Sequence, residues 1–173
     1  MERRGDRAIG RVIQGLRRMY REANNYAFID GSNLHLTYEH MDWEMNYAKL
    51  RKFLRKRHGV TVAYYFVGYR LKNSDIYQKL KKYGYILKHE IADNLDDYLI
   101  RQAKWDMDKY DKAVIISSDK HFAELISYLD SQDKLKLVLA PCNQGCSTKV
   151  RKAANTKIEF LSSYQKELQK SEG

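Results

Sequence analysis

With 173 residues, 43% of them hydrophobic and 14 of them Tyr, the chain reads as one folded domain, large enough to build a core without disulfides or structural metal, which excludes a disordered polypeptide. No stretch reaches the roughly 18 consecutive apolar residues of a membrane span, so no membrane partner is expected. The net charge of +10 implies an anionic macromolecular partner, because such a field concentrates phosphates at the surface. Solubility alone is the competing reading of that charge.

The first 24 residues carry Arg3, Arg4, Arg7, Arg11, Arg17, Arg18 and Arg21, with Ile9, Val12, Ile13, Leu16 and Tyr20 at helical spacing. This predicts an amphipathic helical extension over 1–24 with a basic face. No apolar h-region follows the arginines, so no secretory signal is expected, and Glu2, Asp6 and Glu22 argue against an organelle presequence. A helix docked on the domain is preferred over a free RNA-binding arm. A short tail over 163–173 closes the chain.

Between these, apolar runs alternate with helical patterns. Tyr26 to Ile29, Thr61 to Val67, Tyr85 to Leu87, Ala113 to Ser117 and Leu135 to Ala140 read as strands, mostly continuous in apolar character and therefore buried on both faces. Tyr47 to His58, Ser74 to Tyr83, Asp96 to Met107, Phe122 to Leu129 and Thr148 to Ala154 read as helices, with caps at Ser74 and Asn94. Strand and helix in alternation predict a three-layer α/β/α domain over 25–162 with a central parallel sheet of about five strands. Cys142 and Cys146 form a lone C-x3-C with no His or third Cys nearby, so no zinc site is expected, and two reduced thiols in an intracellular, cytoplasmic protein are.

Carboxylates stand where these runs break. Asp30 follows the first strand, Asp96 and Asp97 open the helix after the third, and Asp119 follows the fourth. In a parallel sheet the working site lies beyond the carboxyl ends of the strands, so three chain segments deliver acids to one edge. There is no G-x-G-x-x-G, no P-loop and no G-x-S-x-G, and Ser32 stands where an aspartyl-phosphate mechanism needs a second acid. What remains is metal-assisted phosphodiester chemistry, with carboxylates holding Mg²⁺ or Mn²⁺, which activates a water and neutralises charge on the phosphate. Helix-start roles compete with this one. Asp97 is read as a helix-start charge facing the macrodipole, and Asp119 as either a ligand or a cap, whereas Asp30 has no evident capping role.

Phe28-Ile29-Asp30-Gly31-Ser32-Asn33-Leu34 and Ile115-Ile116-Ser117-Ser118-Asp119-Lys120-His121-Phe122, with Asn94-Leu95-Asp96-Asp97-Tyr98-Leu99 between them, resemble the three motifs of the NYN domain family, PIN-like ribonucleases that include LabA-type proteins. The resemblance covers roughly residues 25 to 162. It implies a PIN-like fold, RNA as partner, and Asp30, Asp96 and Asp119 as catalytic metal-binding acids supported by Asn33. The chain departs from the family's S-G-D-x-D-F pattern at Ser118 and His121, and Asn155 stands close to where a late acid is usual.

His121 is therefore a general acid or base, a metal ligand, or a surface residue of a helix first turn. Arg70, Lys72, Arg101, Lys104, Lys120, Lys149 and Arg151 are the candidates for holding phosphates, and Tyr38 and Tyr69 for stacking bases. Two functions stay open: a metal-dependent endoribonuclease acting on single-stranded or structured RNA, or a catalytically weak relative that binds RNA or a protein through the same groove. A homo-oligomer is compatible with either.

Overall fold

The computed structural model describes residues 22–68, 75–90 and 94–170. The expected extension over 1–24 and the cap at Ser74 lie almost wholly or wholly outside these residues. Among them, one sheet holds six parallel strands in the order β3-β2-β1-β4-β5-β6. These are β1 (Asn25–Asp30), β2 (Val60–Gly68), β3 (Ile86–Glu90), β4 (Ala113–Ile116), β5 (Leu135–Ala140) and β6 (Ile158–Phe160). The sixth strand goes beyond the five read from sequence. It is three residues long and half-buried throughout, too short to show a period.

The helices are α1 (Gly31–Glu39), α2 (Tyr47–His58), α3 (Asp75–Lys82), α4 (Leu95–Trp105), α5 (Ala123–Ser131), α6 (Thr148–Ala154) and α7 (Gln165–Leu168). Two cores separated by the sheet make the layers. Ala27, Ile29, Ala63, Tyr65, Val67, Val114 and Ile116 pack with Leu34, Leu50, Leu54 and Leu80 of α1, α2 and α3. Phe28, Phe66, Ile115 and Val138 pack with Leu99, Leu125, Ile126 and Val150 of α4, α5 and α6. Neighbouring residues of each strand thus serve opposite layers, which is why β1 and β4 read as unbroken apolar runs.

The strand order fixes the site. β1 pairs in parallel with both β2 and β4, and the chain turns from building one half of the sheet to building the other at the β1/β4 junction. In open α/β sheets the crevice beyond such a switch point is where ligands bind.

Candidate functional site

Asp30 ends β1 and caps α1. Its Oδ1 accepts the Asn33 backbone N–H at 3.0 Å and its Oδ2 the Ser117 hydroxyl at 3.0 Å. The expectation that Asp30 has no capping role is therefore corrected. The Gly-Ser-Asn-Leu-His-Leu-Thr-Tyr stretch shows no clear apolar stripe, so α1 could not be read from its sequence and its cap could not be recognised. Gly31 explains how the helix starts so abruptly: a Cβ there would fall 2.3 Å from Tyr65 Cε1 and 2.5 Å from the Phe66 carbonyl oxygen. Only glycine lets the turn lie this close to β2.

β4 delivers the facing wall. Ser117 is 1% exposed, donates to Asp30, and accepts the Asp119 N–H at 3.1 Å. Asn33 Oδ1 accepts both the Ser118 N–H and the Ser118 hydroxyl at 3.0 Å, which ties the start of α1 to the end of β4. The Ser118 carbonyl accepts the Ser147 N–H at 3.1 Å, bringing the start of α6 to the same edge. Ser117 is the site residue that sequence reading left inside a strand. The signal was there, since a hydroxyl closes an otherwise apolar run.

Asp119 caps a short 3-10 turn, Lys120–Phe122, with its Oδ1 accepting the His121 N–H at 3.0 Å. That tight turn folds the His121 ring back over the edge, with Nδ1 at 2.8 Å from Asp119 Oδ1 and 3.6 Å from Asp96 Oδ2. His121 is thus a member of the acidic group, although its side chain remains 60% exposed. Asp96 comes from the first turn of α4, where Asn94 Oδ1 accepts the Asp97 N–H at 3.2 Å. One ligand atom each from Asp96, Asp119 and His121 lies within 4.8 Å of the others. Asp30 is outside that tight group and sits deeper, 5% exposed. Asp97 is exposed and bonded to the Asn94 side-chain amide at 2.6 Å.

The electrostatics follow from this layering. Burial pushes the Asp30 carboxyl from its ordinary 3.8 up to about 6. The bonds from Asn33 and Ser117 work against that shift, and the charges of Asp96 and Asp119 add to it. Burial, then Asp119, also raise Asp96, with His121 opposing. Buried or half-buried carboxylates that repel one another in this way make a site that a cation completes. The donors fit one. Carboxylate oxygens with a single imidazole nitrogen suit divalent ions, and the imidazole favours Mn²⁺ over Mg²⁺, which takes oxygen almost alone.

The basic candidates divide. Lys120 lies beside Asp119, and Lys149 opens α6 at the same edge, both exposed. Arg151 is committed elsewhere: its Nη2 donates to Asn143 Oδ1 at 2.6 Å and the guanidinium lies 5.1 Å from the Phe160 ring centre, so it braces the loop before α6. Lys104 sits near the far end of α4 with Nζ 4.9 Å from the Tyr128 ring centre, and Arg101 stands one turn before it. Tyr38 is buried against Trp43 and cannot stack a base, while Tyr69, Arg70 and Lys72 lie outside the described residues. Asn155 is also corrected. It ends α6 before the parallel strand β6, which puts it at the opposite edge from the acids, where its φ of 51° makes it a helix stop.

The sequence pattern of the NYN domain matches residues 26–162. The chain belongs to the NYN family. NYN domains are PIN-like nucleases, a group that acts on RNA and generally uses divalent metals, and the acidic cluster lies where the three NYN motifs meet. Among solved structures, a protein of unknown function from Vibrio parahaemolyticus shares the NYN chain's fold, with a TM-score of 0.67 at 13% identity over 81% of this chain and 93% of that one. No curated protein matches the sequence. Among the described residues, no helix is long and apolar enough to cross a membrane.

Proposed function

We propose that this NYN domain is a metal-dependent endoribonuclease whose Asp30, Asp96 and Asp119, with His121, hold Mn²⁺ or Mg²⁺ at the carboxyl edge of the sheet. The observation that carries this is the convergence of Asp96, Asp119 and His121 ligand atoms within 4.8 Å above a buried Asp30 whose charge is under-compensated. The cation, when bound, supplies Lewis acidity to a water and offsets charge on the phosphate. The protein's share is positional. Asn33 N–H and the Ser117 hydroxyl aim Asp30 while leaving each carboxylate oxygen a lone pair for the ion. Asn33 and Ser118 lock the two strand ends so that Asp30 and Asp119 keep their spacing. Lys120 and Lys149 hold the RNA backbone without reading its bases, which makes binding sequence-tolerant and weaker as salt rises. Free Cys142 and Cys146 fit a cytoplasmic setting.

A second reading rests on the His121 ring itself. Set between Asp119 and Asp96, its protonated form can take the place of a cation and leave a module that binds RNA without cutting it. Cleavage of generic single-stranded RNA with Mn²⁺, wild type against Asp30→Asn, separates the two. The nuclease reading expects cleavage by wild type and a loss of about 100-fold or more in the variant. Equal cleavage by both proteins overturns the nuclease reading built on Asp30, and no cleavage by wild type together with metal-independent RNA binding favours the module.

A further inference from the structure

Tyr38 and Tyr77 each bury a hydroxyl that bonds nothing. They are 9% and 3% exposed, and neither hydroxyl has a partner in the protein. The fold satisfies comparable phenols elsewhere: Tyr85 donates to the Tyr47 carbonyl at 2.8 Å and Tyr110 to the Ala103 carbonyl at 2.7 Å. A buried hydroxyl left unbonded is costly, so a pair of them at one place asks for a ligand. Both line one cavity of about 650 Å³, on the side of the sheet that carries α1, α2 and α3. Tyr47, Tyr65, Val67 and Leu80 contribute to its walls, and the Tyr47 and Tyr65 rings stand at 77° with centres 5.9 Å apart. Its size falls in the range of about 300 to 1,000 Å³ of small-ligand sites, and aromatic walls with a few polar groups are their usual lining.

The rim sets the charge of that ligand. Glu39 is paired with His35 at 3.1 Å and Glu44 with Lys170, and among the described lining residues no other side chain is charged. A phosphate or carboxylate inside would lack a cation, and an ammonium would offer the two phenol donors no acceptor. Burial raises both phenols above their ordinary value, so each stays a protonated donor at neutral pH. The buried part of the ligand is therefore uncharged and carries acceptor atoms. Its class follows from the cavity's place. Gly31 and Ser32, next after Asp30, lie at the cavity, and Asp30 pairs with Phe66, so Val67 in the wall stands one residue beyond it on the neighbouring strand. Asp30 bonds Ser117 on the β4 side, and the cavity lies on the β2 side. An RNA strand crossing this edge from Asp119 toward β2 passes both. A nucleobase is planar and uncharged, and its ring nitrogens and carbonyl oxygens accept; unpaired bases are read by aromatic stacking and edge bonds of this kind. Tyr38, held edge-on by Trp43 with ring centres 4.7 Å apart, offers its hydroxyl and not its face, whereas half-buried Tyr47 keeps ring surface for stacking.

We propose that this cavity takes one unpaired nucleobase of the RNA lying across the acidic edge, with Tyr38 and Tyr77 donating to its acceptor atoms and Tyr47 stacking on it. The inference rests on reading that edge as an RNA site, and it adds a base preference to a backbone grip that has none. The test is binding of the full chain, in EDTA so that no metal-dependent cleavage intervenes, to short homopolymers of A, C, G and U and to an abasic oligomer of equal length and charge. At least one homopolymer should bind about 10-fold or more tighter than the abasic strand. Tyr38→Phe and Tyr77→Phe should each cut that margin by about threefold or more. Neither should lower the thermal midpoint, because each removes a hydroxyl that bonds nothing in the free protein. The matching free nucleoside should bind at least about 10-fold weaker than its homopolymer. Equal binding of all five oligomers, a margin kept by either variant, a midpoint lowered by either, or a nucleoside as tight as its homopolymer each overturns the proposal, the last assigning the cavity to a soluble nucleoside. None of these measurements involves cleavage, so RNA left uncut in the presence of Mn²⁺ counts against the nuclease reading and not against the base pocket.

Discussion

Asp106 and Asp30 are buried aspartates at opposite edges of one sheet, and the fold treats them in opposite ways. Asp106 is 0% exposed, just past the end of α4. Burial works against its charge, yet Lys109 at 2.7 Å, Gln102 at 2.6 Å and the Tyr64 hydroxyl outweigh it and hold its pKa below the ordinary value. Asp30, almost as buried, receives one hydroxyl and one backbone N–H, faces two further acids, and has its pKa raised. The chain is thus able to satisfy a buried carboxylate and does so where the role is structural. Among the described residues no Lys or Arg bonds to Asp30, which on the proposed reading keeps room for a cation, at a cost in stability that functional sites commonly carry.

That contrast breaks most visibly at Asp106. Asp106→Asn gives one acceptor oxygen where three donors converge, and should destabilise the protein by about 2 to 3 kcal/mol at pH 7. Thermal unfolding should show a midpoint lower by roughly 4 to 12 °C, with Mn²⁺ affinity unchanged. A wild-type midpoint would mean that Asp106 is no structural anchor. In wild type the Asp106 contribution is fully present above the ordinary Asp value and is lost as pH falls through its lowered pKa.

Asp30 should show the reverse sign and a smaller size. Its folded pKa lies above its unfolded one, so between 3.8 and about 6 the folded state holds a proton that the unfolded chain has released. Stability from this group falls as pH rises through that window. Above it, the charged carboxylate costs the metal-free fold about 1 to 3 kcal/mol. Asn at position 30 still accepts from Asn33 N–H and can donate to Ser117 Oγ. Asp30→Asn should therefore raise the metal-free unfolding midpoint at pH 7.5 by several degrees and lose that advantage near pH 4. A variant less stable than wild type across this range would show that Asp30 is a cap and little more.

The sheet was legible because β1, β4 and β5 are continuous apolar runs ending at turns, and Tyr47–His58 and Thr148–Ala154 keep helical spacing to their last residue. α1 was not, since its start depends on Gly31 meeting Tyr65 and Phe66, a contact made 34 residues and more away along the chain. The acids could be placed at one edge from strand order alone. Their depth could not: that Asp30 lies beneath Asp96 and Asp119, and that His121 swings between them, comes from a 3-10 turn whose sequence reads equally well as the first turn of a helix. Arg151 and Lys104 looked available because sequence shows charge and not the carbonyl or ring that already engages it.

The most direct measurement is thermal unfolding of wild type and Asp30→Asn at pH 7.5 with increasing Mn²⁺. An under-compensated Asp30 awaiting a cation predicts that Mn²⁺ stabilises wild type, by about 2.7 kcal/mol at a hundred times its Kd, and leaves the variant, already raised, nearly unmoved. Equal stabilisation of both proteins, or of neither, contradicts it.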